Sequence, residues 1–170
     1  MILEHWHEFY GLVGTAAAAL LALLFVAVSI GAGTLPPDSA GPTRTYTSPV
    51  AFHYTAVMFV SALALVPTET PASLGVLLGG SAMIGIAYAG FIIRRLLTDR
   101  IADLPDRLGY GLAPLGSYCG ILVAAVLFHV GSARAADVLA TGVMVLLIVN
   151  VRNAWDLLLV MARRRNQPPS

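Results

Sequence analysis

The sequence contains no lysine, a single cysteine and few charges of either sign: Asp, Glu and Arg together make up 11% of its 170 residues. A soluble domain of ordinary composition carries about 25%. That deficit excludes a water-soluble globular fold, a disordered chain and a nucleic-acid binder. One cysteine, Cys119, excludes an internal disulfide and a multi-cysteine metal site. It sits in an apolar run and reads as a small core residue. Ten basic residues, all arginine, stand against nine acids, so the formal net charge of +1 gives no field to steer an acidic partner. Catalytic motifs are missing too. His5 and Glu8 do not make the His-Glu-x-x-His zinc pattern, and no Gly-x-Ser-x-Gly elbow is present. The glycines of residues 73–93 follow no strand and lack the lysine of a phosphate loop. No catalytic residue, cofactor or metal is expected.

What is abundant is oil: 58% of the residues are hydrophobic, with a mean hydropathy of +0.80. A bilayer core needs about 20 apolar residues per helix. Five segments qualify, at about residues 11–30, 50–66, 73–93, 110–130 and 137–162, giving an all-α membrane bundle in one domain, residues 1–170. The N-terminal ten residues carry Glu4 and Glu8 and no arginine, so the first run reads as a retained helix rather than a signal peptide. Residues 31–48, rich in Pro, Gly, Ser and Thr, read as an irregular loop. Pro49 and Pro67 bound the second segment. Residues 67–72 form a tight turn, making helices two and three an antiparallel hairpin. Residues 94–109 mix leucines with charges and suggest a short interfacial helix, and residues 163–170 form a polar tail.

Five spans put the first loop, the third loop and the C-terminus on one side. That side holds Arg44, Arg94, Arg95, Arg100, Arg107, Arg163, Arg164 and Arg165; the other holds only Arg134. Positive loops stay cytoplasmic, which predicts the N-terminus outside and the C-terminus inside. Trp6, Phe9 and Tyr10 then fall at the outer interface, and Tyr46 and Trp155 near the inner one.

Within lipid, helices associate through close backbone approach and polar contacts. Four-residue spacing of small residues marks Gly11, Thr15 and Ala19, and Gly14, Ala18 and Ala22, in the first helix. The third has Gly75 and Gly79, then Ser81, Gly85 and Ala89; the fourth has Gly116, Gly120 and Ala124. These are expected packing seams. In the fifth helix, Asn150, Arg152, Asn153 and Asp156 fall within an arc of about 160°. An unpaired charge at the bilayer centre costs about 2.5–3.5 kcal/mol on insertion scales, so this arc is expected to face protein. His53, Tyr88, Ser117 and Tyr118 lie at comparable depths. The eight residues form a candidate polar cluster in the inner leaflet. It would serve either as an ion, proton or small-ligand pathway or as a bonded network fixing helix register. Glu4, His5, His7 and Glu8 read as a polar interfacial cap, and His129 as interfacial.

The two ends of the chain carry a resemblance. Trp6 to Tyr10, followed by Gly14 to Leu20 and Leu24 to Ile30, resembles the start of a group of small bacterial multi-pass membrane proteins. Asn153-Ala154-Trp155-Asp156-Leu157-Leu158 resembles the last helix of the same group. Some members carry the label modulator of FtsH protease. The resemblance implies a bacterial inner-membrane protein acting by contact with other membrane proteins, and brings no catalytic residues. The candidate partners are therefore the lipid bilayer, other membrane proteins and further copies of this chain, with no nucleic acid. The competing reading is a small oligomeric transporter or channel built on the polar cluster.

Overall fold

The computed structural model describes residues 3–32, 40–67, 70–98 and 107–165. Outside them lie residues 33–39 of the expected first loop, residues 99–106 with Arg100, and residues 166–170 of the tail. The side chains of Arg44, Tyr46, Arg107 and Arg163 to Arg165 are likewise outside the description.

Lipid offers no hydrogen-bond partners, so an apolar segment must satisfy its own backbone, and the helix does so locally. Five helices long and apolar enough to cross a membrane result. They are α1 (His7–Ala32), α2 (Ala40–Leu65), α3 (Pro71–Thr98), α4 (Ala113–His129) and α5 (Ala135–Arg165). A 3₁₀ turn, Glu4–Trp6, leads into α1, and a π-helical turn, Arg107–Leu112, leads into α4. Among the described residues there is no strand.

Three boundaries differ from the sequence reading. α2 begins at Ala40, so the C-terminal part of the expected loop is helical and Pro49 lies inside the helix. A proline interrupts one rung of the ladder, but neighbouring helices can re-satisfy the freed groups in a bundle. α3 runs on through Arg94 and Arg95 to Thr98, so these residues extend a spanning helix instead of opening a separate interfacial one. α5 continues to Arg165, so the expected tail starts as helix.

Local chemistry fixes the other ends. Thr70 Oγ1 accepts from the Ser73 N–H at 3.1 Å while Ser73 Oγ accepts from the Thr70 N–H at 2.9 Å, with Pro71 at the first helical position. This reciprocal box starts α3. α4 stops at Gly131, whose φ of 71° lets the Ser132 N–H reach Leu127 O at 2.8 Å and its own N–H reach Phe128 O at 3.1 Å. That is a Schellman cap, and only glycine takes its left-handed position without strain.

The helices alternate in direction; α1 pairs closely with α2 and α3 with α4, and α5 packs against α4 just as closely and also reaches α2 and α1. The expected α2–α3 hairpin is present as a short connection, but its two helices share less contact than either close pair. In the most apolar window of α5, 50% of residues are buried, against 17% for α1. α5 is therefore the central helix, and α1 the peripheral one, with Leu12, Leu23, Phe25, Val26 and Ile30 facing outward.

The glycine seams are partly as expected. A Cβ at Gly75 would lie 2.7 Å from the Ala125 carbonyl oxygen, one at Gly14 would lie 3.1 Å from Ser61 Cβ, and Gly79 and Gly120 face Ala125 and Gly142. Gly11 and Gly116 differ: a Cβ at either would meet nothing within 4 Å, so among the described residues neither packs against another helix. Gly85 is the tightest position, since a Cβ there would overlap the Tyr118 ring.

Candidate functional site

The polar residues of the inner cluster do not gather into one site. They divide into two buried sets of helix links and one outward-facing ion pair.

The first set is built by α5. Asn153, 1% exposed, donates from Nδ2 to the Gly109 carbonyl at 2.8 Å, and the Tyr110 hydroxyl donates to the Asn153 carbonyl at 2.9 Å. The sequence explains why Gly109 is available. In the π-helical register a carbonyl looks to the N–H five residues on. For Gly109 that residue is Pro114, which has none. Asn153 supplies the missing donor across 44 residues of chain. Gly109 must be glycine for this contact, since a Cβ would lie 2.8 Å from Asn153 Oδ1; one at Gly111 would lie 2.7 Å from Ile93 Cγ1. One turn earlier on α5, Asn150 Nδ2 donates to the Val50 carbonyl at 2.8 Å, next to Pro49. The two asparagines thus tie α5 to the turn that leads into α4 and to the interior of α2 beside Pro49.

The second set joins α2, α3 and α4. His53 Nδ1 and the Tyr118 hydroxyl are 2.8 Å apart, both groups buried. The Phe52 ring stacks on Tyr88 with centroids 4.1 Å apart, and the His53 and Tyr88 rings meet edge-on at 6.1 Å. Ser117 belongs to neither set: its hydroxyl donates to Ala113 O at 3.1 Å within its own helix. His53 Nε2, Tyr54 Oη and Asn150 Oδ1 are buried without a hydrogen-bond partner. Val50, His53 and Tyr54 share one face of α2, with the Val50 carbonyl bonded to Asn150 of α5 and His53 to Tyr118 of α4.

Arg152 and Asp156 correct the expectation that the whole arc faces protein. Their side chains are 55% and 45% exposed, and Arg152 Nε lies 3.8 Å from Asp156 Oδ2. The physical reason is the width of the arc. At 100° per residue, Asn150 and Asn153 occupy one end of it and Arg152 and Asp156 the other, and only the first end meets neighbouring helices. The i,i+4 pair neutralises itself along the helix instead.

On the same face of α5, ending two turns before Arg152, runs a groove between α4 and α5, about 380 Å³ in volume, lined by residues including Gly116, Ser117, Asp137, Val138, Thr141 and Val145. At the N-terminal end, Trp6, Phe9 and Tyr10 pack ring against ring, with Tyr10 fully buried against the bundle instead of standing at its rim. Trp155 is 62% exposed and faces outward. Sequence reasoning missed Gly109 and Tyr110; the signal was a Gly-Tyr-Gly triplet just ahead of Pro114.

Compared with protein-family models, curated proteins and solved structures, the chain matches none.

Proposed function

We propose that this chain is a non-enzymatic multi-pass protein of a bacterial inner membrane that works by lateral contact with other membrane proteins. Its N-terminus lies outside and its C-terminus in the cytoplasm. The observation that carries the reading is the Arg152–Asp156 pair, displayed on the outside of the central helix. Arg152 stands seven residues before Leu159, and Val160, Met161 and Ala162 carry the apolar run further, so it lies at least about 10 Å inside the span. Charge in lipid is expensive, up to about 2.5–3.5 kcal/mol per residue at the bilayer centre on insertion scales. Its display on a flank suits a surface that another protein covers. The interior asparagines are engaged in tying helices together, which suits a rigid scaffold.

The orientation rests on the arginine bias, to which exposed Arg94 and Arg95 at one end and Arg134 at the other contribute. The resemblance of the chain ends to proteins labelled modulator of FtsH protease makes a membrane-bound protease a candidate partner. A photo-crosslinking residue at position 152, irradiated in native membranes, is expected to capture membrane proteins. Capture of lipid alone would overturn the reading. A C-terminal reporter active only in the periplasm would overturn the orientation.

A second reading, a small oligomeric transporter or channel, draws on the buried, unpartnered His53 Nε2, Tyr54 Oη and Asn150 Oδ1. It requires solute or proton flux in proteoliposomes that His53→Phe abolishes.

A further inference from the structure

We infer that the groove between α4 and α5 is a self-association face, filled by the same face of a second copy of this chain. The inference rests on the proposed function and names its partner.

Three observations converge on this face. First, Gly116 is exposed and a Cβ there would meet nothing within 4 Å. Glycine inside a helix is less stable than alanine, and among the described residues no close contact compensates at this position. Close approach by a backbone from outside the chain does. Second, Val138, Thr141, Val145, Ile148 and Arg152 recur on α5 at alternating spacings of three and four residues. That is the seam of a left-handed helix pair. The seam runs outward along the groove: Val145 is 42% and Ile148 60% exposed. Its valines are knobs of a size that the bare backbone at Gly116 of a facing copy can accept. Third, the seam ends in a charge pattern that complements itself. Arg152 extends over the α4 start, where a Cβ at Gly109 would lie 3.3 Å from its Nη1, and Asp156 follows one turn on.

Two copies inserted in the same direction are related by a twofold axis along the membrane normal, so each face meets itself at equal depth. Arg152 of each copy then stands one turn from Asp156 of the other, the same offset it already spans within its own helix. Two cations and two anions form a neutral square shielded from lipid. Asp137, exposed in the first turn of α5, meets its equivalent at the end of the span, where water screens the repulsion.

The test uses the full chain in lipid vesicles, with Cys119→Ala removing the exposed native thiol. Single cysteines are placed at Thr141 or Val145 on the face, and at Phe91, 56% exposed on α3, as a control. Oxidation is expected to link copies through positions 141 and 145 at least tenfold faster than through 91. Asp156→Arg, which turns the square wholly positive, is expected to weaken association about tenfold, and the exchanged double variant Arg152→Asp/Asp156→Arg to restore it. Gly116→Leu is expected to abolish the link while leaving the thermal unfolding of the chain unchanged. Equal linking at 91 and 141, or monomers throughout with acyl chains crosslinked to the groove, would overturn the inference. In native membranes, the same cysteines linking to other proteins but not to a second copy would overturn it and leave the proposed function standing. No protein link from any position would overturn both.

Discussion

Asn150 and Asn153 on one side of α5, and Arg152 and Asp156 on the other, lie within two turns of one helix, yet they solve the problem of polarity in lipid in opposite ways. The asparagines are 1% exposed and satisfy carbonyls of other helices. The charged pair is about half exposed and satisfies itself. An amide can be buried at modest expense where a carbonyl has a free lone pair: at Gly109 Pro114 withholds the N–H of the π register, and at Val50 the amide adds a second bond to a carbonyl already bonded within its helix. A guanidinium and a carboxylate cannot be dehydrated so cheaply. On the flank they neutralise each other one turn apart, and Arg152 can extend its stem toward the headgroups. What this teaches is that a polar arc on a membrane helix need not mark a single site.

The contrast can be broken in several places, in falling order of effect. Gly85→Leu drives a side chain into the Tyr118 ring and dislodges its contact with His53. A loss of about 3 kcal/mol or more is expected, as for severe overpacking, checked by unfolding in mixed micelles. Asn153→Leu comes next, at about 1–3 kcal/mol, because it strands a buried carbonyl. The sharper experiment is the double variant with Pro114→Ala. Alanine returns an N–H to the helix, so Asn153→Leu is expected to lose less in that background, and equal losses in both would refute the proline account. Asn150→Leu is expected to cost less, about 0.6–1.7 kcal/mol, the range of interhelical hydrogen bonds in membranes. The Val50 carbonyl keeps its own helical partner at Tyr54. On the other flank, Arg152→Gln with Asp156→Asn is expected to change the stability of the isolated chain by less than Asn150→Leu does, since the two charges pair with each other along one helix. A larger loss would mean that the pair holds the bundle together after all.

The prolines show how far the sequence could be read. Pro71 and Gly131 mark helix ends by their own backbone limits, and both do so here. Pro49 has the same chemistry but lies inside α2. Nothing near it in sequence tells the two cases apart. The amide that ties down the neighbouring carbonyl comes from Asn150, 100 residues away. Gly116 and Gly120 likewise share one spacing with Gly75 and Gly79, yet Gly75 is clamped against Ala125 while Gly116 is bare.

The sequence alone determined that the chain is helical, that five segments are long and apolar enough to cross a membrane, and where several of them stop. Those properties follow from local quantities: the apolar content of a window, the missing N–H of proline and the missing Cβ of glycine. Only the tertiary structure decided which half of the α5 arc is interior, which glycines are packed and which polar atoms find partners. A helix repeats its side chains around a full circle, and the choice of buried side belongs to whichever neighbours arrive against it.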